Sequence, residues 1–372
     1  MKIPPFELER YFAAHEFTAP YLLCSSDCES LALRELLALE PDAHSRLENL
    51  WLGYTESLGN PELREAIAGL YETVTKDEIL VHAGAEEAIF NFMNVALGPG
   101  DHVIVHWPCY QSLFQVAASI GCEVTKWEAR ADEGWELDVD DLRKSLKKNT
   151  KAVVLNVPHN PTGYLMGKEK LAEVVEVLRR NGVLLFMDEV YKGLEYDPGA
   201  ALPSACDAYE HAVSLGVMSK SFGLAGLRIG WIATRNRAVY GGMAKFKDYT
   251  TICNSAPSEF LATLALRHRE RILDRNRIII RENLALLNGF FQRRDKYFSW
   301  GTPKAGCIAF PKLKLNTADQ FCAELLKQSG VLLAPGSRFG FDKSHFRIGF
   351  GRASCPDVLK RFESYLELME KR

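Results

Sequence analysis

Between about residues 79 and 233, short apolar runs rich in β-branched residues alternate with stretches whose apolar side chains recur every three or four positions. The first pattern predicts strands and the second helices, and their alternation predicts a sheet covered by helices on both faces. Seven strands are expected: Ile79 to His82, His102 to His106, Glu123 to Trp127, Ala152 to Asn156, Val183 to Met187, Ala212 to Gly216 and Arg228 to Ala233. Between the first two, Ala85, Ala88, Ile89, Phe92, Met93 and Ala96 fall on one helical face, and Gly98-Pro99-Gly100 closes the element. After residue 260 the pattern changes to a long helix rich in Arg and Glu, His268 to Arg294. Strands at Cys307 to Phe310, Val331 to Ala334 and Phe346 to Phe350 follow, with a helix at Ala318 to Ser329. The expected organisation is a large domain over 46-265, a small domain over 266-372, and an N-terminal segment, 1-45, packing on the small domain.

Composition narrows the class. A chain of 372 residues that is 47% apolar can bury a large core. A formal net charge of -3 gives no basic surface for a polyanion, so no nucleic-acid partner is expected. Apolar runs such as Gly182 to Met187 fall far short of the roughly 20 residues that cross a bilayer, so no membrane span is expected. The N-terminus lacks the apolar stretch of a secretory signal, and nine cysteines without a C-x-x-C pair fit free thiols in a reducing compartment. A cytoplasmic protein without a metal site is expected.

The richest chemistry lies in Ser219-Lys220-Ser221-Phe222-Gly223-Leu224-Ala225-Gly226-Leu227-Arg228-Ile229-Gly230. Lys220 is either a surface lysine or a nucleophile whose amine is kept neutral by apolar surroundings and a nearby cation. Other polar groups follow strand ends, where an open α/β sheet presents its ligand-binding residues. The turn at Gly84-Ala85-Glu86 opens a helix whose N-terminus suits a phosphate. Tyr110 is either a core aromatic or a ring that stacks on a planar ligand. Asn160 is presented by a rigid turn between Pro158, Pro161 and Gly163. Asp188 ends an apolar strand, where it either caps the next helix or meets a buried cation.

Taken together, Gly84-Ala85-Glu86, Tyr110, Asn160-Pro161-Thr162-Gly163, Asp188-Glu189-Val190-Tyr191 and Ser219-Lys220 through Arg228 resemble the class I/II aminotransferases, pyridoxal phosphate (PLP) enzymes of fold type I. The likeness continues into Ala334-Pro335-Gly336-Ser337 and His345-Phe346-Arg347-Ile348. It implies an α/β fold: a mainly parallel seven-stranded sheet in a large domain plus a smaller α/β domain. It implies that Lys220 holds the cofactor aldehyde as an internal aldimine and shuttles a proton, while Asp188 keeps the pyridine nitrogen protonated. Tyr191 and Asn160 would bond the ring oxygen and Tyr110 would stack on the ring. Gly84, Ala85, Glu86, Ser219 and Arg228 would hold the phosphate. Arg347 and Asn160 would take the substrate carboxylate, with Ser26 and Asp27 near the substrate. Tyr54 matches the tyrosine that reaches the neighbouring subunit's phosphate, which implies a homodimer with shared sites.

Two positions depart from the family pattern. Val217 replaces a common Ser or Thr that helps bind phosphate, and the loop Leu23-Cys24-Ser25-Ser26-Asp27-Cys28-Glu29 lacks the usual glycine. Within this loop Asp27 or Glu29 is expected to favour a cationic substrate. The implied activity is transfer of an amino group between an amino acid and a 2-oxo acid. The alternative is elimination, replacement or cyclisation at Cβ or Cγ, since Pro5-Phe6-Glu7-Leu8-Glu9 and Arg347-Ile348-Gly349-Phe350 give a looser likeness to a cyclising member. A non-catalytic module of the same fold is the third reading, and the presence of Lys220, Asp188 and Arg347 argues against it.

Overall fold

The computed structural model describes residues 2–371. Its centre is a seven-stranded sheet made of β1 (Ile79–His82), β2 (His102–Trp107), β3 (Glu123–Glu128), β4 (Thr150–Asn156), β5 (Leu184–Asp188), β6 (Ala212–Val217) and β7 (Gly230–Ala233). The strand order is β1-β7-β6-β5-β4-β2-β3, with every pairing parallel except the two made by β7. All seven expected strands are present. The last starts later than expected because Arg228 adopts a left-handed backbone conformation, φ 52°, which cannot continue a strand.

Both faces of the sheet are covered, which is why its central strands read as continuous apolar runs. Successive side chains of β4 alternate between two cores. Ala152 and Val154 join Phe92 and Phe186 on one face, whereas Val153 and Leu155 join Leu171 and Met187 on the other. The first face is packed by the helix Ala85–Ala96, which buries Ala88, Ile89, Phe92 and Met93. The second face is packed by the helix Lys168–Asn181 through Leu171, Val174, Val175 and Leu178.

A 25-residue helix, Arg269–Arg293, buries a stripe that includes Ile272, Asn276, Ile280, Asn283 and Leu287. Its two buried asparagines act as backbone clamps. Asn276 Nδ2 donates to the Ser221 carbonyl at 2.9 Å, and Asn283 Nδ2 donates to the carbonyls of Phe350 and Arg352 at 2.9 Å each. The segment around Lys220 is thereby tied to the end of the strand Phe346–Gly349.

That strand is central to a small antiparallel sheet, with Ile308–Ala309 on one side and Ala334–Pro335 on the other. The run Val331 to Ala334, expected as one strand, divides between two sheets. Val331–Leu332 pairs in parallel with Tyr21–Leu22, whereas Ala334–Pro335 pairs with Phe346 and Arg347. The N-terminal helix Glu7–His15 buries Leu8 in a cluster with Phe310, Leu332, Ala334 and Phe339.

The antiparallel strand β7 shapes the turn after β1. A Cβ added at Gly230 would lie 2.6 Å from the Gly84 carbonyl carbon and 2.8 Å from the Ala85 nitrogen. Only backbone lies there, so no side-chain rotation relieves the overlap. Gly230→Ala is expected to lower the unfolding free energy in urea by roughly 1–3 kcal/mol. It is also expected to speed amide hydrogen exchange at residues 83 to 86; unchanged exchange there would contradict this account.

Candidate active site

The parallel strands end on one edge, and their ends bring the expected polar groups together. The β4–β5 register sets Asn156 directly beside Asp188. A cavity of about 600 Å³ opens on this edge, and Ala85, Glu86, Tyr110, Asn160, Asp188 and Tyr191 line it. Ser26, Asp27, Ser219, Lys220, Arg228 and Arg347 also line it. Val217 also lines it, so an apolar side chain stands where a hydroxyl would donate. Tyr54 is elsewhere: it is 85% exposed and borders a separate groove with Trp51 and Phe260.

Lys220 Nζ donates to Ser26 Oγ at 2.9 Å, and loss of hydration holds its pKa below the usual lysine range. The positive charge of Arg347 acts in the same direction, against the opposing pull of Asp27. Asp188 Oδ1 accepts one backbone bond, from Val190 N–H at 3.2 Å, and burial pushes its carboxyl up to about 7. Burial likewise raises the Tyr191 phenol well above its ordinary range. Asn156 orders this edge twice over: its Nδ2 donates to the Asp188 carbonyl at 2.9 Å, and its Oδ1 accepts from Asn160 N–H at 2.6 Å.

Arg347 is 1% exposed. Its guanidinium donates to the Cys24 carbonyl at 2.8 and 3.2 Å and to Asn160 Oδ1 at 3.1 Å. No carboxylate pairs with it among the described residues. The guanidinium also lies over the Phe12 and Phe339 rings, 5.6 and 5.3 Å from their centroids, and a buried cation with only neutral partners favours an incoming carboxylate, which a guanidinium can bind through two parallel N–H donors.

At the opposite end of the cavity, Gly84 precedes the helix Ala85–Ala96 with φ 95°. The first-turn N–H groups of Ala85 and Glu86 have no intrahelical acceptor and suit an anion. The Arg228 guanidinium rests on this turn, since a Cβ at Gly84 would meet Nη2 at 2.6 Å. Glu86 also faces this region, and burial pushes its carboxyl up to about 7 despite Ser112 and Arg228. A carboxyl that is partly protonated near neutrality opposes a bound anion less than a full carboxylate does.

Asp27 lines the cavity as expected, and Arg352 holds both its oxygens, at 3.0 and 2.9 Å, in a bidentate pair. Glu29 is outside the wall and accepts from Ala353 N–H at 2.8 Å. Both carboxylates therefore already have a partner within the fold. Sequence reasoning missed the N-terminal helix, whose Glu9, Phe12 and following Glu16 line the cavity. Their spacing, i, i+3 and i+7, marks one helical face and was available as a signal. It also missed Asn156, an amide at the end of an otherwise apolar strand.

Comparison with known proteins agrees with this geometry. The family model "Aminotransferase class I and II" matches residues 20–361, and the chain belongs to that family. Capreomycidine synthase from Streptomyces vinaceus is 30% identical over 358 residues, covering 95% of this chain and 90% of the relative. A solved PLP-dependent aminotransferase from Streptococcus suis is 33% identical with a TM-score of 0.93, covering 99% of this chain and 98% of that one. The PLP-dependent cyclase OrfR is 29% identical with a TM-score of 0.88, covering 97% of each chain.

The protein is therefore a PLP-dependent enzyme, and its cavity fits the cofactor. A desolvated amine at Lys220, a buried carboxyl at Asp188 with one hydrogen bond, and the helix-opening turn after Gly84 have the chemistry to suit an aldehyde, a ring nitrogen and a phosphate in turn. The burial of Asp188 also has a pH signature. An aspartate whose folded pKa lies near 7, against roughly 4 unfolded, stabilises the fold below pH 4 relative to alkaline pH, and this contribution is lost as pH rises through 7. Asp188→Asn in the cofactor-free protein is expected to raise the melting temperature at pH 8 by roughly 2 °C or more, with a smaller gain at pH 5. Equal shifts at both values would refute the assignment.

Proposed function

We propose that the protein is an amino acid aminotransferase, moving an amino group between an amino acid and a 2-oxo acid. The observation that carries this reading is the shared wall of Lys220, Asp188 and the buried Arg347. It unites an amine whose pKa burial lowers, a buried carboxyl and a carboxylate receptor in one cavity. Bound PLP supplies an aldehyde and an electron-withdrawing ring that accepts the electrons left when a Cα proton departs. Arg347 binds the α-carboxylate in a bidentate fork and so fixes the orientation of Cα. Lys220 Nζ takes the Cα proton and returns it, a task suited to an amine whose pKa burial has lowered. Asp188 would keep the ring nitrogen protonated, while Tyr191 and Asn160 would bond the ring oxygen and Tyr110 would cover the ring. Ser219, Arg228 and the N–H groups of Ala85 and Glu86 would hold the phosphate, whereas the expected Gly84 N–H is taken by the His82 carbonyl at 2.8 Å and leaves that glycine to shape the turn.

Tyr54 acts in trans. It lies in an exposed run, with Trp51 79% and Leu52 77% exposed, which supports a second copy of the chain covering this face. The nine free thiols support a reducing, cytoplasmic setting. A second reading keeps the same residues but ends in cyclisation, elimination or replacement, and the names of capreomycidine synthase and OrfR favour it.

Half-reaction spectroscopy separates the two. Under the aminotransferase reading, adding an amino donor bleaches the visible absorbance of the bound cofactor and a 2-oxo acid restores it. Lys220→Ala is expected to abolish the cycle. Turnover without bleaching across a broad donor panel would favour the second reading.

The shared site predicts complementation. Tyr54→Ala supplies Lys220 and Lys220→Ala supplies Tyr54, so co-refolded equal mixtures should recover roughly a quarter of wild-type activity, half the dimers holding one intact site. Recovery no greater than the average of the two separate variants would refute a role for Tyr54 in trans.

A further inference from the structure

The N-terminal helix makes one contact that the family reading leaves unexplained. Tyr110 Oη donates to Glu9 Oε1 at 2.7 Å, across 101 residues of sequence. We propose that Glu9 is a positioning residue that holds the Tyr110 ring over the cofactor, which makes the N-terminal helix a working wall of the cofactor site. The proposal rests on the reading of Tyr110 as the ring that covers the cofactor.

The clamp is local and directional. Glu7 N–H donates to Gln111 Oε1 at 2.9 Å, Gln111 Nε2 donates to the Pro5 carbonyl at 3.0 Å, and the Phe6 ring lies 4.8 Å from that of Tyr110. These contacts fix the start of the N-terminal helix relative to residues 110 and 111. They leave the phenol itself to Glu9. The helix is braced from behind, because Leu8 is buried against Phe310 and Phe339 and Tyr11 Oη donates to the Leu333 carbonyl at 2.8 Å. Arg338 adds an ion pair to Glu7 at 3.2 Å. Glu9 therefore presents its carboxylate from a supported scaffold.

The tyrosine side needs such a partner. Its backbone is set by the end of β2 and the helix Ser112–Ile120, but its ring still has two free torsions. The phenol is withdrawn from water, and a hydroxyl so placed is costly to leave unpaired. A phenol-to-carboxylate bond is of the charge-assisted kind and fixes direction as well as distance. Glu86 is the other carboxyl close to the phenol, but it makes no hydrogen bond to it.

The test is the affinity of the cofactor-free protein for pyridoxal 5'-phosphate, followed by absorbance, with the visible circular dichroism of the bound cofactor as a second readout. Glu9→Ala and Tyr110→Phe are each expected to weaken binding roughly tenfold, and the double variant to be no more than about twofold weaker than either. Glu9→Gln retains an acceptor oxygen and should restore most of the affinity and dichroism. Tyr110→Ala, which removes the ring, should be weaker than all of these. Multiplicative losses in the double variant, or unchanged affinity in Glu9→Ala, would overturn the proposal. If Tyr110→Ala binds normally, the ring-covering reading falls and the proposal with it. If only Tyr110→Ala is impaired, the role of Glu9 alone is refuted. Glu9→Gln and Tyr110→Phe preserve size and packing, so the comparison survives if Glu9→Ala does not fold.

Discussion

Dehydrating a charged group in a protein interior is costly, and this molecule gathers many ionisable groups around one cavity. Arg347, Asp188 and Lys220 are kept apart from neutralising partners by the way their neighbours are deployed. Arg347 is satisfied by the Cys24 carbonyl and the Asn160 amide oxygen rather than by an acid. Asp188 receives a single backbone donor. Lys220 meets a hydroxyl. Each partner satisfies hydrogen-bonding capacity without cancelling charge or fixing protonation, so the groups remain available to a ligand. The acid that could have quenched this arrangement, Asp27, is held by Arg352.

The scaffold makes that arrangement rigid. Parallel pairing brings Asn156 beside Asp188, and the side chain of Asn156 bonds both the Asp188 carbonyl and the Asn160 N–H. The long helix Arg269–Arg293 fixes the chain after Lys220 through Asn276, and the end of the strand bearing Arg347 through Asn283. Buried asparagines thus do for the backbone what the apolar core does for the sheet, but with direction.

The sheet was legible because buried β-branched runs and amphipathic helices repeat with different periods, and no long-range information is needed to tell them apart. The chemistry at strand ends was legible for a related reason: parallel topology forces those ends to one edge. Less could be read where pairing across hundreds of residues decides the outcome. Asp27 looked free because nothing local reveals Arg352, and the run Val331 to Ala334 looked like one strand because nothing local reveals that Tyr21–Leu22 takes its first half. Glu9 carried a readable helical spacing, but the partner that gives it meaning lies 101 residues away.

The bonds from Arg347 to the Cys24 carbonyl have a consequence for how the enzyme comes into being. They join residues 323 apart in sequence, and the same guanidinium also grips Asn160, near the chain's midpoint. Lys220, Asp188 and the turn at Gly84 all precede Arg347 in sequence, so the buried cation is the last of these groups to be synthesised, and it is satisfied only when the segments carrying Cys24 and Asn160 are brought to it.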